Sequence, residues 1–304
     1  MQRPGMGCRR RIRAAGGARG FVLQALAVVA VATTAAPAHA EWTEVSSDHF
    51  VIYGDQKPET LRRFSERLEL YHAAMAHLFE RPAIKTSPSN RVNIYVVPTA
   101  KDVRELVEIQ NQFTTAVYYP MAGSSFAVVP TLNFVKSPYG NPSEIALFHE
   151  YAHHFMYGLS SRAYPKWFVE GFAEFFATAE IKDDTVGLGV PARHRALELQ
   201  YAREVPIRQM LDYDGGLKDG DKRYNAFYGQ SWLLLHYLVF RRANELSTYQ
   251  RLLAQGQTAL QAAEGAFGDL DDLAKELDRY TQSRQMQYLP IPRSQLKVGP
   301  INLR

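Results

Sequence analysis

Apolar residues recur along this chain with two periods, and the change from one to the other falls near its middle. Up to about residue 134 short runs of β-branched and aromatic residues dominate. Beyond 141 nearly every apolar position keeps the three-to-four spacing of a helix face. Glu41 to Gly54 reads as one strand, with Trp42 and Val45 leading into Phe50-Val51-Ile52-Tyr53. Pro58 to about Phe79 reads as an amphipathic helix with Leu61, Phe64, Leu68, Tyr71, Met75 and Leu78 on one face and Pro58 in its first turn. A polar break over 82–90 precedes a strand at Val92–Val97, and Thr99 caps a short helix reaching Ile109. The segment 114–134 reads as two strands about a Gly123-Ser124-Ser125 turn.

A loop from Pro138 to Pro142 then leads into a helix capped by Asn141 or Ser143. A second helix starts near Pro165 and carries the run Trp167 to Phe176, ending before Lys182-Asp183-Asp184. Helical spacing continues near 192–204, 206–212, 224–243, 245–255, 258–266 and 270–284. The glycine-bearing stretch from Asp212 to Lys222 is the expected mobile loop, and the proline-containing segment 286–304 the expected extended tail. The pattern predicts an α+β protein. It has an N-terminal strand/helix subdomain with a small sheet (41–140), a metal-binding helix pair at the junction, and a mostly helical C-terminal subdomain (141–285).

Composition changes this picture at one end. Six arginines (Arg3, Arg9, Arg10, Arg11, Arg13, Arg19) precede an apolar run from Phe21 to Ala32, and Ala38-His39-Ala40 follows with a small-x-small pattern. Residues 1–40 thus read as a signal peptide cleaved after Ala40. The alternative is an uncleaved anchor, for which the run is short against the roughly 20 residues a span needs. Setting the leader's six arginines aside turns the formal charge of +4 into about −2, so the basic balance is no argument for nucleic acid. Cys8, the single cysteine, also lies in the leader, so an exported mature chain has no disulfide. The expected location is the periplasm or the extracellular space, with no stable membrane span after cleavage.

The candidate chemistry lies on the helix pair. His149-Glu150-Tyr151-Ala152-His153 places two imidazoles one turn apart on one helix face, about 6 Å along the axis. That is the His-Glu-x-x-His arrangement of zinc hydrolases, with Glu150 placed to reach a metal-bound water. Catalytic zinc takes a third protein ligand. Glu170, with 16 residues between it and His153, comes beside the histidines when a reversing loop turns the second helix back on the first. Glu174, one turn further, is placed to hydrogen-bond the outer nitrogen of a ligand histidine.

These residues, with Pro165-x-Trp167-Phe168-Val169-Glu170-Gly171-Phe172-Ala173-Glu174, resemble the gluzincin metallopeptidases, and in particular the peptidase MA-like group of secreted bacterial proteins. The resemblance implies one Zn²⁺ on His149, His153 and Glu170, with Glu150 as the catalytic base. It implies a second helix-borne donor to the oxyanion, which falls on Tyr228 at the head of the helix containing Leu233 to Leu238, with Tyr224 as the reserve. It implies that the strand before the metal helix pairs with a peptide or protein substrate, which falls on Ser125, Phe126, Ala127 and Val128 and runs on to Val129. The Gly-x-Met-Glu-Asn stretch with which the aminopeptidase branch grips a free amine is missing between 111 and 134, which favours internal cleavage. Two function classes stay open: a zinc peptidase, and a catalytically idle metal-bearing domain that binds a polymer or protein in the cell envelope. The remaining histidines, His154, His194 and His236, read as structural or exposed, and Phe172, Phe175 and Phe176 as packing.

Overall fold

A parallel sheet needs crossovers, and the helix Pro58–Leu78 supplies the first of them. The computed structural model describes residues 42–81, 87–112, 114, 116–121, 125–131, 140–160, 162–213, 222–283 and 285–304, without the side chains of 222–225. In chain order the elements are β1 (Thr43–Ser46), β2 (Phe50–Gly54), α1 (Pro58–Leu78), β3 (Val92–Val97), α2 (Ala100–Leu106), β4 (Val117–Tyr119) and β5 (Phe126–Pro130). Then come α3 (Pro142–Leu159), α4 (Lys166–Ala177), β6 (Glu180–Ile181), β7 (Thr185–Leu188), α5 (Ala196–Tyr201), α6 (Ile207–Leu211) and α7 (Lys222–Arg241). The chain closes with α8 (Ala243–Ala254), α9 (Ala259–Phe267), α10 (Leu270–Thr281), β8 (Leu289–Pro292) and β9 (Asn302–Leu303). The leader, the Gly123-Ser124 turn and residues 214–221 of the expected mobile loop lie outside the described residues.

The larger sheet has the order β4-β5-β3-β2-β1-β9, with β2–β3 and β3–β5 parallel and the other pairs antiparallel. A second sheet of three strands, β6-β7-β8, follows the α3–α4 pair. The fold is the expected mixture of a sheet toward the N-terminus and helices toward the C-terminus. Three local expectations change. The single strand over 41–54 is a hairpin, because Ser47 N–H bonds the Phe50 carbonyl and reverses the chain. The hairpin β6–β7 is added after α4. The extended tail is not loose: β8 pairs with β7, β9 pairs with β1, and the Glu44 and Arg304 backbones exchange both hydrogen bonds.

The apolar face of α1 lies against the sheet as its spacing requires. Leu61, Phe64, Leu68, Tyr71 and Met75 are fully buried, together with Phe50, Ile52 and Ile94 from the strands. The same helix fixes α3. Arg67 donates from Nε and Nη2 to the two carboxylate oxygens of Glu144, and the Tyr71 hydroxyl donates to the Phe148 carbonyl at 3.0 Å. Asn141 is the N-cap of α3, its side chain accepting from the Ser143 and Glu144 amides. A carboxylate in that first turn also complements the helix dipole.

The helices after α4 close over it. Trp167 is fully buried and donates from its indole nitrogen to the Tyr249 hydroxyl at 3.0 Å. His236, buried on α7, donates from Nε2 to the Gly189 and Gln287 carbonyls and accepts from Tyr280 at Nδ1. Burial pulls its pKa down to about 4, so it is a neutral structural residue. Among the described residues no helix is long and apolar enough to cross a membrane.

The contact that matters most to the site is α4 on α7. A side chain at Gly171 would place its Cβ 2.6 Å from the Ser231 carbonyl oxygen and 3.2 Å from Leu235 Cβ. Only glycine allows that approach, which seats Glu170 and Glu174 beneath α3 and α7. We expect Gly171→Ala to cost about 1–3 kcal/mol by overpacking, read as a lowered midpoint in thermal unfolding. An unchanged midpoint would mean that the two helices separate freely.

Candidate metal centre

On α3 the i, i+4 spacing turns His149 and His153 to the same side, with their rings nearly perpendicular and their Nε2 atoms 3.2 Å apart. Glu170, from α4, points Oε2 at both of them, 3.4 Å from His149 Nε2 and 3.5 Å from His153 Nε2. Among the described residues these three form the one group of His, Cys, Asp or Glu side chains whose donor atoms gather within 4.8 Å of one another. Ligands about 2.0–2.1 Å from a tetrahedral zinc ion lie about 3.3–3.4 Å from each other. The triangle of donor atoms therefore has the size that one such ion requires.

The donors also lack other partners. Glu170 Oε2 is buried and makes no hydrogen bond, and its distances to the imidazoles exceed those of good N–H···O bonds. A buried carboxylate oxygen held only at such long ion-pair distances is well suited to a cation placed between the three groups. The residues fit a metal ion; which metal they hold is not fixed by this geometry.

Behind the triangle stands Glu174, 1% exposed. Its Oε1 lies 3.1 Å from His149 Nδ1, so this nitrogen carries the proton and Nε2 offers its lone pair to the ion side. Glu174 is further held by Arg195 through both carboxylate oxygens and by His194 Nε2 at 3.0 Å. Burial alone would raise its pKa, but Arg195 with His149 and His194 holds it well below the ordinary carboxylate value.

The same opposition sets the other groups in the metal-free protein. Burial pulls His149 toward neutrality, yet Glu170 and Glu174 outweigh it and hold its pKa up at about 10. Burial pushes Glu170 up, and the two histidines draw it down to about 2. Glu150 sits one residue from the first ligand, and burial raises its pKa while the neighbouring imidazoles moderate the rise.

The sequence-predicted residues divide into those the fold gathers and one group it does not. His149, Glu150, His153, Glu170 and Glu174 come together on α3 and α4. Tyr228, on α7, brings its ring to 6.3 Å from that of His149; the Tyr224 side chain lies outside the described residues. The substrate strand is corrected. Phe126, Ala127 and Val128 lie on β5, paired on one side with β3 and on the other with β4, and the Ser125 carbonyl just before it accepts from the Asn93 N–H. With both edges taken, β5 has no backbone left for a peptide. Among the described residues the edge strand on that side is β4, whose Tyr118 hydroxyl binds His154 Nδ1 at 2.6 Å. His154 is structural, as expected.

Two residues were not anticipated: His194 and Arg195, in the turn before α5. The one hint lay in the cluster Arg193-His194-Arg195 following a buried carboxylate that needs a cation.

Fold and site together define an α+β protein with a His/His/Glu group able to hold a metal ion. The profile of a family described as "Protein of unknown function (DUF1570)" matches residues 144–258. That span opens in the first turn of α3 and runs to the cap of α9, so it contains the three donors, Glu150, Glu174, Arg195 and Tyr228. No curated protein matches the chain.

The protonation of His149 gives a test. Its folded pKa lies above the ordinary 6.5, so the proton stabilises the metal-free fold below about pH 6.5 and that contribution fades as pH rises through about 10. An ion on Nε2 must displace this proton. We expect Zn²⁺ uptake to release at least one proton between about pH 7 and 9, and affinity to rise about tenfold per pH unit there. Calorimetric titration in buffers of different ionisation enthalpy measures this. Binding without proton release would exclude His149 as a ligand.

Proposed function

We propose that this protein is an exported zinc-dependent metallohydrolase of the gluzincin kind, and that its reaction is the hydrolysis of internal peptide bonds. The observation that carries the reading is Glu150. It is a half-buried carboxylate beside three donors that could hold a metal ion. A carboxylate has no structural duty there, and a general base has. The leader pattern of residues 1–40 supports export, with cleavage after Ala40.

The ion that His149, His153 and Glu170 would hold supplies a Lewis acid that activates a water and polarises the substrate carbonyl. Glu150 accepts the water's proton as the oxygen bonds the carbonyl carbon. It then passes that proton to the amine nitrogen as the C–N bond breaks. Burial raises the Glu150 pKa, which makes its carboxylate a stronger proton acceptor. Tyr228, beside His149, is the donor to the carbonyl oxygen as negative charge gathers on it.

Two substitutions test the roles. Glu150→Gln should retain one zinc per chain and lose cleavage of an unbiased peptide library at about pH 5–9. Cleavage by the wild type no greater than by this variant would favour a metal-bearing binding domain. Tyr228→Phe should lower kcat about 10²–10³-fold with KM and zinc content kept, in steady-state kinetics on a peptide taken from that digest. An unchanged kcat would remove Tyr228 from the mechanism.

A further inference from the structure

Arg195 touches two things that the sequence gives no reason to connect. Its Nε and Nη2 hold the two oxygens of Glu174, which is itself bonded to His149 Nδ1. The same guanidinium lies over the Tyr228 ring, 5.3 Å from its centroid. The Tyr228 ring in turn lies 6.3 Å from the His149 ring. The four side chains close a circuit, His149–Glu174–Arg195–Tyr228, drawn from α3, α4, the turn before α5, and α7. Nη1 is taken by Glu198 at 2.7 Å, so the planar group is fixed on three sides.

From this closed circuit we propose that Arg195 is a positioning residue for the metal centre. By gripping Glu174 it sets the tautomer and orientation of His149, and by stacking on Tyr228 it sets where that hydroxyl stands relative to the ion. The inference rests on the metallohydrolase reading. A lysine cannot replace the arginine, since one ammonium reaches one carboxylate oxygen and offers no plane to the ring. The charges agree with the assignment. With neutral histidines, Glu170 and Glu174 balance a divalent ion and Arg195 balances Glu198, which leaves Glu150 as the one carboxylate without a counter-charge of its own.

The experiment compares the wild type, Arg195→Lys, Glu174→Gln and the double variant as full mature chains. Zn²⁺ affinity is measured by chelator competition, and the visible spectrum is recorded with Co²⁺ in place of Zn²⁺. Arg195→Lys should weaken Zn²⁺ about 10–100-fold, as loss of a partner behind a metal ligand does, and should alter the Co²⁺ bands. In the double variant the lysine should add nothing to the effect of Glu174→Gln, because Arg195 reaches His149 only through Glu174. At saturating zinc, on a peptide the wild type cleaves, Arg195→Lys should lower kcat and keep KM. Wild-type affinity and spectrum in Arg195→Lys, or effects that multiply in the double variant, would overturn the link to His149. An unchanged kcat would overturn the link to Tyr228. A wild type that takes up neither ion overturns the metal reading itself, and this inference falls with it. Should Arg195→Lys fail to fold, the pair Arg195→Gln with Glu198→Gln removes one charge of each sign and is read by the same affinities.

Discussion

Two ionised carboxylates buried on one apolar helix are the constraint that the rest of this structure answers. Glu170 and Glu174 lie on α4 among Trp167, Phe168, Phe172, Phe175 and Phe176, with 9% and 1% of their surface exposed. Each costs several kcal/mol to bury without a partner. Gly171 between them lets α7 close over the helix. For Glu174 the compensation is complete within the chain: Arg195, His194 and His149 surround it. For Glu170 it is looser, because Oε2 meets the two imidazole nitrogens only at ion-pair distances of 3.4 and 3.5 Å and makes no hydrogen bond. That asymmetry between two glutamates one turn apart is the physical case for a cation.

The helix that meets them shows how one element can serve two ends. The front of α3 presents His149 and His153 to α4. Its back packs on α1 and β4, where Tyr151 binds His72 Nδ1 at 2.7 Å and His154 binds Tyr118. Burial drives the His72 pKa down to about 3, while on the front two carboxylates drive that of His149 up to about 10. The residue type is the same; the charge state follows from what each face meets. Because α3 is capped by Asn141, tied at Glu144 to Arg67 and bonded at Phe148 to Tyr71, the imidazoles are presented by a fixed rod.

What could be read from the chain was whatever depends on neighbours one turn away. The i, i+4 histidines, the face of α1, the Thr99 and Asn141 caps and the Glu170–Glu174 pair are all of this kind. Strands of two to four residues, such as β6, β8 and β9, are too short to display a period, so the second sheet and the paired tail were not legible. The Asp48-His49 break was too slight to reveal a hairpin. Which strand lies at a sheet edge is a property of the whole sheet, and the substrate-binding role of 125–129 was implied by the resemblance alone. Arg195 was missed because its partners lie 21 residues back and 33 residues on, a distance over which no spacing rule holds.

The central claim is that Glu170 completes a metal centre with His149 and His153. Crystals grown with zinc and measured on both sides of its absorption edge address it most directly. The account predicts one anomalous peak per chain, bonded to His149 Nε2, His153 Nε2 and Glu170 Oε2 at about 2.0–2.2 Å. A peak elsewhere, or none between these three atoms, would contradict it.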